Sequence, residues 1–184
     1  ARYVTSAAVP SRRSWRSPVQ ALTEAAIRRS MVNCSRSEAA ALTPPRDLAD
    51  LDWATLDVLG WRDAKAELRG YLVHEQDGEP LGIALRAADT KMSSRRSAMC
   101  LLCHTVQSAA DVSLFTARRV GEAGRNGNTV GTYICADLDC ASRATAVPPS
   151  ALHLDEELQT LAVEEQVVGL HKRLQAFTAD VTRR

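Results

Sequence analysis

From His153 onward apolar positions recur at helical spacing: Leu154, Leu158 and Leu161, then Val163, Val167, Leu170, Leu174, Phe177 and Val181, the second set stepping by 4, 3, 4, 3 and 4. That step draws one apolar stripe along a helix, and the stripe must be buried, either on its own domain or as a short coiled-coil seam against another chain. Residues 71–76 and 81–87 are instead strand-like runs joined by Asp77-Gly78-Glu79-Pro80. Asp-Gly supplies the positive φ that a tight reversal needs, so these runs predict a hairpin. Residues 112–119 and 129–135 predict a second hairpin around a loop, 121–128, that holds three glycines and two asparagines. Pro148 and Pro149 then interrupt the pattern before the long helix.

The upstream pattern is shorter. Thr23 followed by Glu24 reads as an N-cap, with Leu22, Ile27 and Met31 near helical spacing. Ser35-Arg36-Ser37-Glu38 is a capping box, in which the Ser35 hydroxyl and the Glu38 carboxylate satisfy helix-end amides reciprocally, and Pro44 and Pro45 stop that helix. Leu48, Leu51, Trp53, Leu56, Leu59 and Trp61, set among aspartates, suggest a helical turn that packs two tryptophans into the core. Residues 1–20, rich in Ser, Arg, Ala and Pro, have no usable periodicity and read as a flexible basic arm. The expected organisation is this arm, a domain over 21–147, and an amphipathic helix over 148–184. The fold class is α+β, with antiparallel hairpins, short N-terminal helices and a long C-terminal helix.

The chain has 184 residues with 23 basic and 22 acidic side chains, which is enough for one ordinary domain with appendages. A net charge of +1 removes whole-chain polyelectrolyte attraction to nucleic acid as a default function. The neutral total conceals blocks: residues 1–48 carry eight basic and three acidic residues, 49–90 four and nine, and 91–150 seven and four. Folding can therefore gather Arg95, Arg96, Arg118, Arg119 and Arg125 into one basic patch. No apolar run approaches the roughly 20 residues needed to span a bilayer. Residues 1–17 lack the apolar segment of a signal peptide, so the expectation is a cytoplasmic protein without a membrane partner.

The five cysteines carry the chemistry. Cys100-Leu-Leu-Cys103 is followed, after 31 intervening residues, by Cys135-Ala-Asp-Leu-Asp-Cys140. Two short loops that each present two sulfurs, with a hairpin returning the chain between them, suit a tetrahedral structural zinc ion; iron–sulfur ligation and unliganded thiols are the alternatives. Cys34 reads as a small buried hydrophobe, and His104 as a neighbour of the site rather than a ligand. A knuckle, a hairpin and a second pair opening a short helix at Cys140, with Asp139 as its cap, is the order of elements in a treble clef. Four thiolates leave a zinc ion no open position for water or substrate, which argues against an enzyme and against a small-molecule substrate. The glycine-rich loop 121–131 lacks the Gly-Lys-Ser/Thr ending of a phosphate-binding loop, and only His104 lies between the cysteine pairs, too few histidines for a metal-dependent nuclease.

Cys100-Leu-Leu-Cys103-His-Thr, Leu114-Phe-Thr-Ala-Arg-Arg119 and the stretch from Gly124 to Cys140 resemble the FBP-type C-terminal treble-clef zinc-finger family, which includes the FusB-like elongation factor G-binding proteins. Val32-Asn33-Cys34 and Leu59-Gly60-Trp61-Arg62 extend the resemblance more weakly, and 114–140 is most similar to stand-alone actinobacterial members. The resemblance implies a non-enzymatic protein with one structural zinc on Cys100, Cys103, Cys135 and Cys140. Its implied partner is elongation factor G and, through it, the ribosome, with an effect on translocase release or fusidic acid sensitivity. It implies contacts at Leu101 or Leu102 and at Tyr133, to which expected exposure adds Phe115, Arg118, Arg119 and Arg125. The sequence departs from the resistance proteins in showing no full N-terminal helical bundle and in adding the C-terminal helix, so a housekeeping role in factor recycling stands beside drug protection. Direct binding of ribosomal RNA, through the arginines and the basic arm, is the alternative.

Overall fold

Asp77 and Gly78 take φ of 54° and 83°, and this left-handed pair reverses the chain between strand β2 (Arg69–Gln76) and strand β3 (Glu79–Ala87) as the Asp-Gly signal predicts. The computed structural model describes residues 21–53 and 56–183; the expected arm over 1–20 lies outside the described residues. β2 also pairs with β1 (Val58–Arg62), and β3 with β6 (Val112–Arg118), which pairs in turn with β7 (Thr129–Cys135). The result is an antiparallel sheet of order β1-β2-β3-β6-β7, beside a separate ribbon of β4 (Ser97–Met99) and β5 (Val106–Ser108). Helices α1 (Glu24–Ser30) and α2 (Arg36–Ala41) precede the sheet, α3 (Gly121–Arg125) and α4 (Cys140–Thr145) flank β7, and α5 (Glu156–Thr182) ends the described chain.

Alternation along the strands gives the sheet two buried faces. On one, Leu72, Ile83, Leu85, Phe115, Ala117 and Ile134 meet Val167, Leu170, Leu174, Phe177 and Val181 of α5 in a single cluster that also contains the four paired cysteines. The helical stripe is thus buried on its own domain. Asp155 caps α5 by accepting from the Leu158 amide at 3.0 Å, and Val181 accepts from the Val120 amide at 2.9 Å. Leu158 and Leu161, in the first turns of α5, stay exposed.

On the other face Leu59, Trp61, Tyr71 and Val73 pack against Ile27 and Leu42 from the α1 and α2 segment. The Trp61 indole donates to the Thr43 carbonyl at 2.8 Å, and Asp63 accepts from the Tyr71 hydroxyl and from the Thr43 and Lys65 amides. The caps at Thr23 and Ser35 form as expected, the second as a full capping box.

Two local expectations need correction. Trp61 does not sit on a helical turn: residues 58–62 alternate between the two faces and pair with β2, a period of two that the wider spacing from Leu48 to Leu56 disguises. Trp61 is nonetheless buried, and Trp53 packs half-buried on the same cluster. The glycine-rich loop is not irregular throughout, because Gly121, at φ 76°, turns the chain directly into α3.

Leu174 is fully buried at the centre of the α5 interface. Leu174→Ala is expected to lower unfolding stability by about 2–5 kcal/mol through lost transfer energy and a residual cavity, read from a shift in the urea midpoint. A pH effect follows from His74, which is buried beneath α5 with Nε2 3.0 Å from the Thr178 hydroxyl. Burial, and then the facing His171, hold its pKa below the ordinary 6.5, with the Glu75 carbonyl opposing. The unfolded chain therefore takes up a proton that the native state refuses, so this contribution is complete above about pH 6.5 and is lost as the pH falls below it. His74→Gln is expected to flatten the stability profile between about pH 5 and 7 relative to wild type, measured by urea unfolding across that range.

Candidate metal centre

Each of the four sulfurs is delivered by the end of a regular element. Cys100 follows β4, Cys103 closes the turn before β5, Cys135 is the last residue of β7, and Cys140 is the first of α4. The knuckle turn is closed by the His104 amide donating to the Cys100 carbonyl at 2.9 Å and the Cys100 amide donating to Thr105 at 3.1 Å, with His104 itself at φ 59°. Within the turn the Leu102 and Cys103 amides both point at the Cys100 sulfur, each at 3.4 Å, and Gln107 Nε2 donates to the Cys135 sulfur at 3.3 Å. His104 is exposed and contributes no sulfur-like ligand to the cluster, in keeping with its expected place beside the site.

All four sulfurs lie within 4.8 Å of one another, with Cys100 to Cys140 at 3.7 Å and Cys103 to Cys135 at 3.6 Å, and all four residues are buried. A zinc–sulfur bond of about 2.3 Å gives a tetrahedron with edges of about 3.8 Å, so the donor set fits one zinc ion. Electrostatics point the same way. Four thiols this close cannot all ionise unaided: Cys103 is driven far down by hydrogen bonds from Cys100, Cys135 and Cys140, while Cys135 and Cys140 are driven up as donors, first of all to Cys100. Cys100 settles at about 7, with Cys103 opposing its ionisation and Cys135 and Cys140 outweighing that opposition. A divalent cation removes the conflict by stabilising all four thiolates together.

Several residues around the centre are ones that sequence reasoning passed over. Leu138, between the third and fourth ligands, is fully buried at φ 67°, a conformation that L side chains adopt only when their surroundings enforce it. Two glycines make room for it. A Cβ on Gly60 would lie 2.2 Å from the Leu138 carbonyl oxygen, and one on Gly70 would lie 2.5 Å from its Cδ1. Asp139 takes the N-cap position of α4, but its side chain makes no cap hydrogen bond. Asp137 does the tying instead, accepting from the Asp139 amide at 3.0 Å and from Arg143 at 2.9 and 2.8 Å. Although burial disfavours its charge, hydrogen bonding to Arg143 holds the Asp137 carboxyl below its ordinary pKa. From below, Arg62 stacks 5.2 Å from the Phe115 ring centre and donates to Ala136 at 3.1 Å, and from α5 Arg173 Nε donates to the Leu102 carbonyl.

The expected contact residues divide. Leu101 and Tyr133 are each 45% exposed and adjacent, the Leu101 amide donating to the Tyr133 carbonyl at 2.8 Å. Met99 and Val106, cross-strand neighbours at the root of the knuckle, are exposed beside them and were not anticipated. Leu102 and Phe115 are buried, so neither is available as a surface contact: the short turn points Leu101 outward and Leu102 inward, and Phe115 falls on the strand face that meets α5. The arginines do not gather into one patch. The Arg96 carbonyl accepts from Ala109, near the start of β6, whereas Arg118, Arg119 and Arg125 lie at its far end, about 20 Å of strand away. Arg118 also pairs with Glu38 at 3.3 Å, and Arg119 donates to the Asp180 carbonyl. Cys34 is half-buried in the bend between α1 and α2, where burial raises its pKa.

The family model described as the FBP C-terminal treble-clef zinc-finger matches residues 26–181. Among solved structures, that of the fusidic acid resistance protein FusC is similar over 59% of this chain and 50% of its own, with 22% identity and a TM-score of 0.41; this chain spans half of that protein's length. Comparison with curated proteins finds no match.

Cys100→Ser and Cys135→Ser are each expected to reduce bound zinc from one per chain to well below that, measured by elemental analysis, and to unfold residues around the knuckle and α4, because a structural zinc site is worth on the order of 10 kcal/mol in folding. Stoichiometric zinc retained in both variants would remove the four-sulfur assignment.

Proposed function

Because the chain belongs to the FBP C-terminal treble-clef zinc-finger family, we propose that it works without catalysis, as a docking protein for elongation factor G and through it for the ribosome, modulating translocase release or fusidic acid sensitivity. One observation carries this reading: the residues that frame a centre with all four positions taken by sulfur include a rim of four exposed apolar ones, Met99 and Leu101 on either side of Cys100, Val106 paired with Met99, and Tyr133 bonded to Leu101. Such a centre has no position for water or substrate, so what it supplies is rigidity. The rim benefits. Its backbone is fixed by the knuckle bonds and by the link from Leu101 to Tyr133, and a pre-ordered apolar cluster with a tyrosine is the composition in which binding energy concentrates at protein interfaces.

The sequence resemblance supports elongation factor G as the partner. Among the described residues no helix is long and apolar enough to cross a membrane. Direct binding of ribosomal RNA through the basic patch loses its support, because the arginines meant to supply it are divided between the two ends of β6.

Purified protein and elongation factor G should associate in calorimetry or gel filtration; no association at about 50 μM removes the proposal. Leu101→Asp and Tyr133→Ala are expected to weaken association by tenfold or more, about 1.4 kcal/mol, while leaving the melting temperature within a few degrees of wild type. Leu102→Asp, which places a charge in the core, should instead lower the melting temperature sharply, and so separates scaffold from contact.

A further inference from the structure

The sheet has one seam that does not close. β3 and β6 share only the pairs Arg86 with Thr116 and Ala87 with Phe115. Two steps on, the register would place Ala84 opposite Arg118, but there the side-chain amide of Asn33 enters between the strands. It donates to the Ala84 carbonyl at 2.9 Å and to the Arg118 carbonyl at 3.1 Å, and accepts from the Ala84 amide at 2.7 Å. The wedge holds the strands apart, and over the parting lies a cleft of about 360 Å³ on the part of the outer face that α1 and α2 leave uncovered, lined by Cys34 but by none of the four metal-site cysteines. Its volume falls within the roughly 300–1,000 Å³ typical of small-molecule sites.

The walls of this cleft carry an unusual charge pattern. Arg69 on β2 and Arg86 on β3 are direct cross-strand partners, and Arg118 lies two residues beyond Thr116, the partner of Arg86 on β6. Residues on these register positions share a face, so three guanidinium groups line one cleft. Like charges directly opposite each other on a sheet are destabilising. Glu38 is the one carboxylate in the lining, and it is committed twice over, to the Ser35 amide in the capping box and to Arg118. Among the described residues Arg69 and Arg86 make no ion pair. The lining therefore keeps a surplus of two positive charges, with the hydroxyl of Thr129 beside them and that of Thr116 donating to the Arg86 carbonyl at 3.3 Å.

We infer that this cleft binds the phosphate group of a nucleotide, either free or within an RNA strand. Guanidinium forks match the oxygens of phosphate in pairs, and two of them with the Thr129 hydroxyl can satisfy several oxygens of one tetrahedral anion. The remaining volume takes the sugar or base attached to it. A bound anion also converts the repulsive Arg69–Arg86 pair into a shared contact. The inference does not depend on the knuckle rim, and its test reads a different ligand and different residues.

The test uses the full chain with zinc, in phosphate-free buffer at low salt, titrated calorimetrically with inorganic phosphate, adenosine 5′-monophosphate, a short single-stranded RNA and polyglutamate. Saturable binding is expected for the mononucleotide, the RNA or both. Mononucleotide binding identifies a free ligand, and RNA binding without it identifies a strand. The double variant Arg69→Gln with Arg86→Gln should weaken that binding at least tenfold and melt at or above the wild-type temperature, whereas Arg125→Gln, outside the cleft, should leave binding unchanged; should the double variant fail to fold, Arg86→Gln alone is read. Absence of saturable binding up to about 10 mM nucleotide, equal binding of polyglutamate, or undiminished binding by the variant would overturn the inference.

Discussion

Four sulfurs within 4.8 Å of one another can all be thiolates in a buried core only if a cation shares their charge. Much of the molecule is arranged around meeting that condition. Two of the sulfurs come from a turn that cannot stand alone, a three-residue ribbon on each side, and the other two from the end of β7 and the start of α4. The ion they fit thus reinforces the hydrogen bonds, from Leu101 to Tyr133 and from Gln107 to Cys135, that join the small ribbon to the large sheet. The cysteines also belong to the same apolar cluster as the inner residues of α5, so metal site and core share the same side chains.

The support is layered in a way that explains otherwise odd residues. Leu138 accepts a left-handed backbone because the loop between the third and fourth ligands must pass close over β1 and β2, and Gly60 and Gly70 are where that approach is made. Arg62 beneath and Arg173 from α5 hold the Ala136 and Leu102 carbonyls, and Arg173 and Arg143 place positive charge near the thiolates without ligating anything. Rigidity achieved in this way serves the exposed rim. A surface cluster of Met99, Leu101, Val106 and Tyr133 costs little further entropy to present, because its backbone has already been fixed from behind.

The sheet's two faces divide the labour. The inner face builds the metal centre and seats α5. The outer face is only partly covered by α1 and α2, and the Asn33 amide between β3 and β6 leaves the remainder as a polar, arginine-lined cleft. A single domain thereby presents two chemically distinct surfaces, one apolar beside the knuckle and one cationic over the open seam, related through a shared sheet.

Local chemistry was enough to read the four ligands, the Asp77-Gly78 turn, the capping box at Ser35 and the stripe on α5, because spacing, turn geometry and periodicity act over a few residues and leave their mark in sequence order. Membership of Trp61 in a strand was not legible, since its pairing with Tyr71 is fixed by β2 and not by its own neighbours. Nor was the inward turn of Leu102 beside the outward Leu101, two identical residues that only the packing of α5 and the sheet distinguishes. The same holds for the scattering of the arginines: sequence proximity of Arg118, Arg119 and Arg125 to Arg95 and Arg96 says nothing about which end of β6 each occupies, whereas the register of the sheet brings Arg69 and Arg86, 17 positions apart, directly opposite each other. Sequence determined which atoms bind the ion and which segments reverse or coil; the long-range pairing of strands alone decided which side chains face outward, and therefore what the protein can touch.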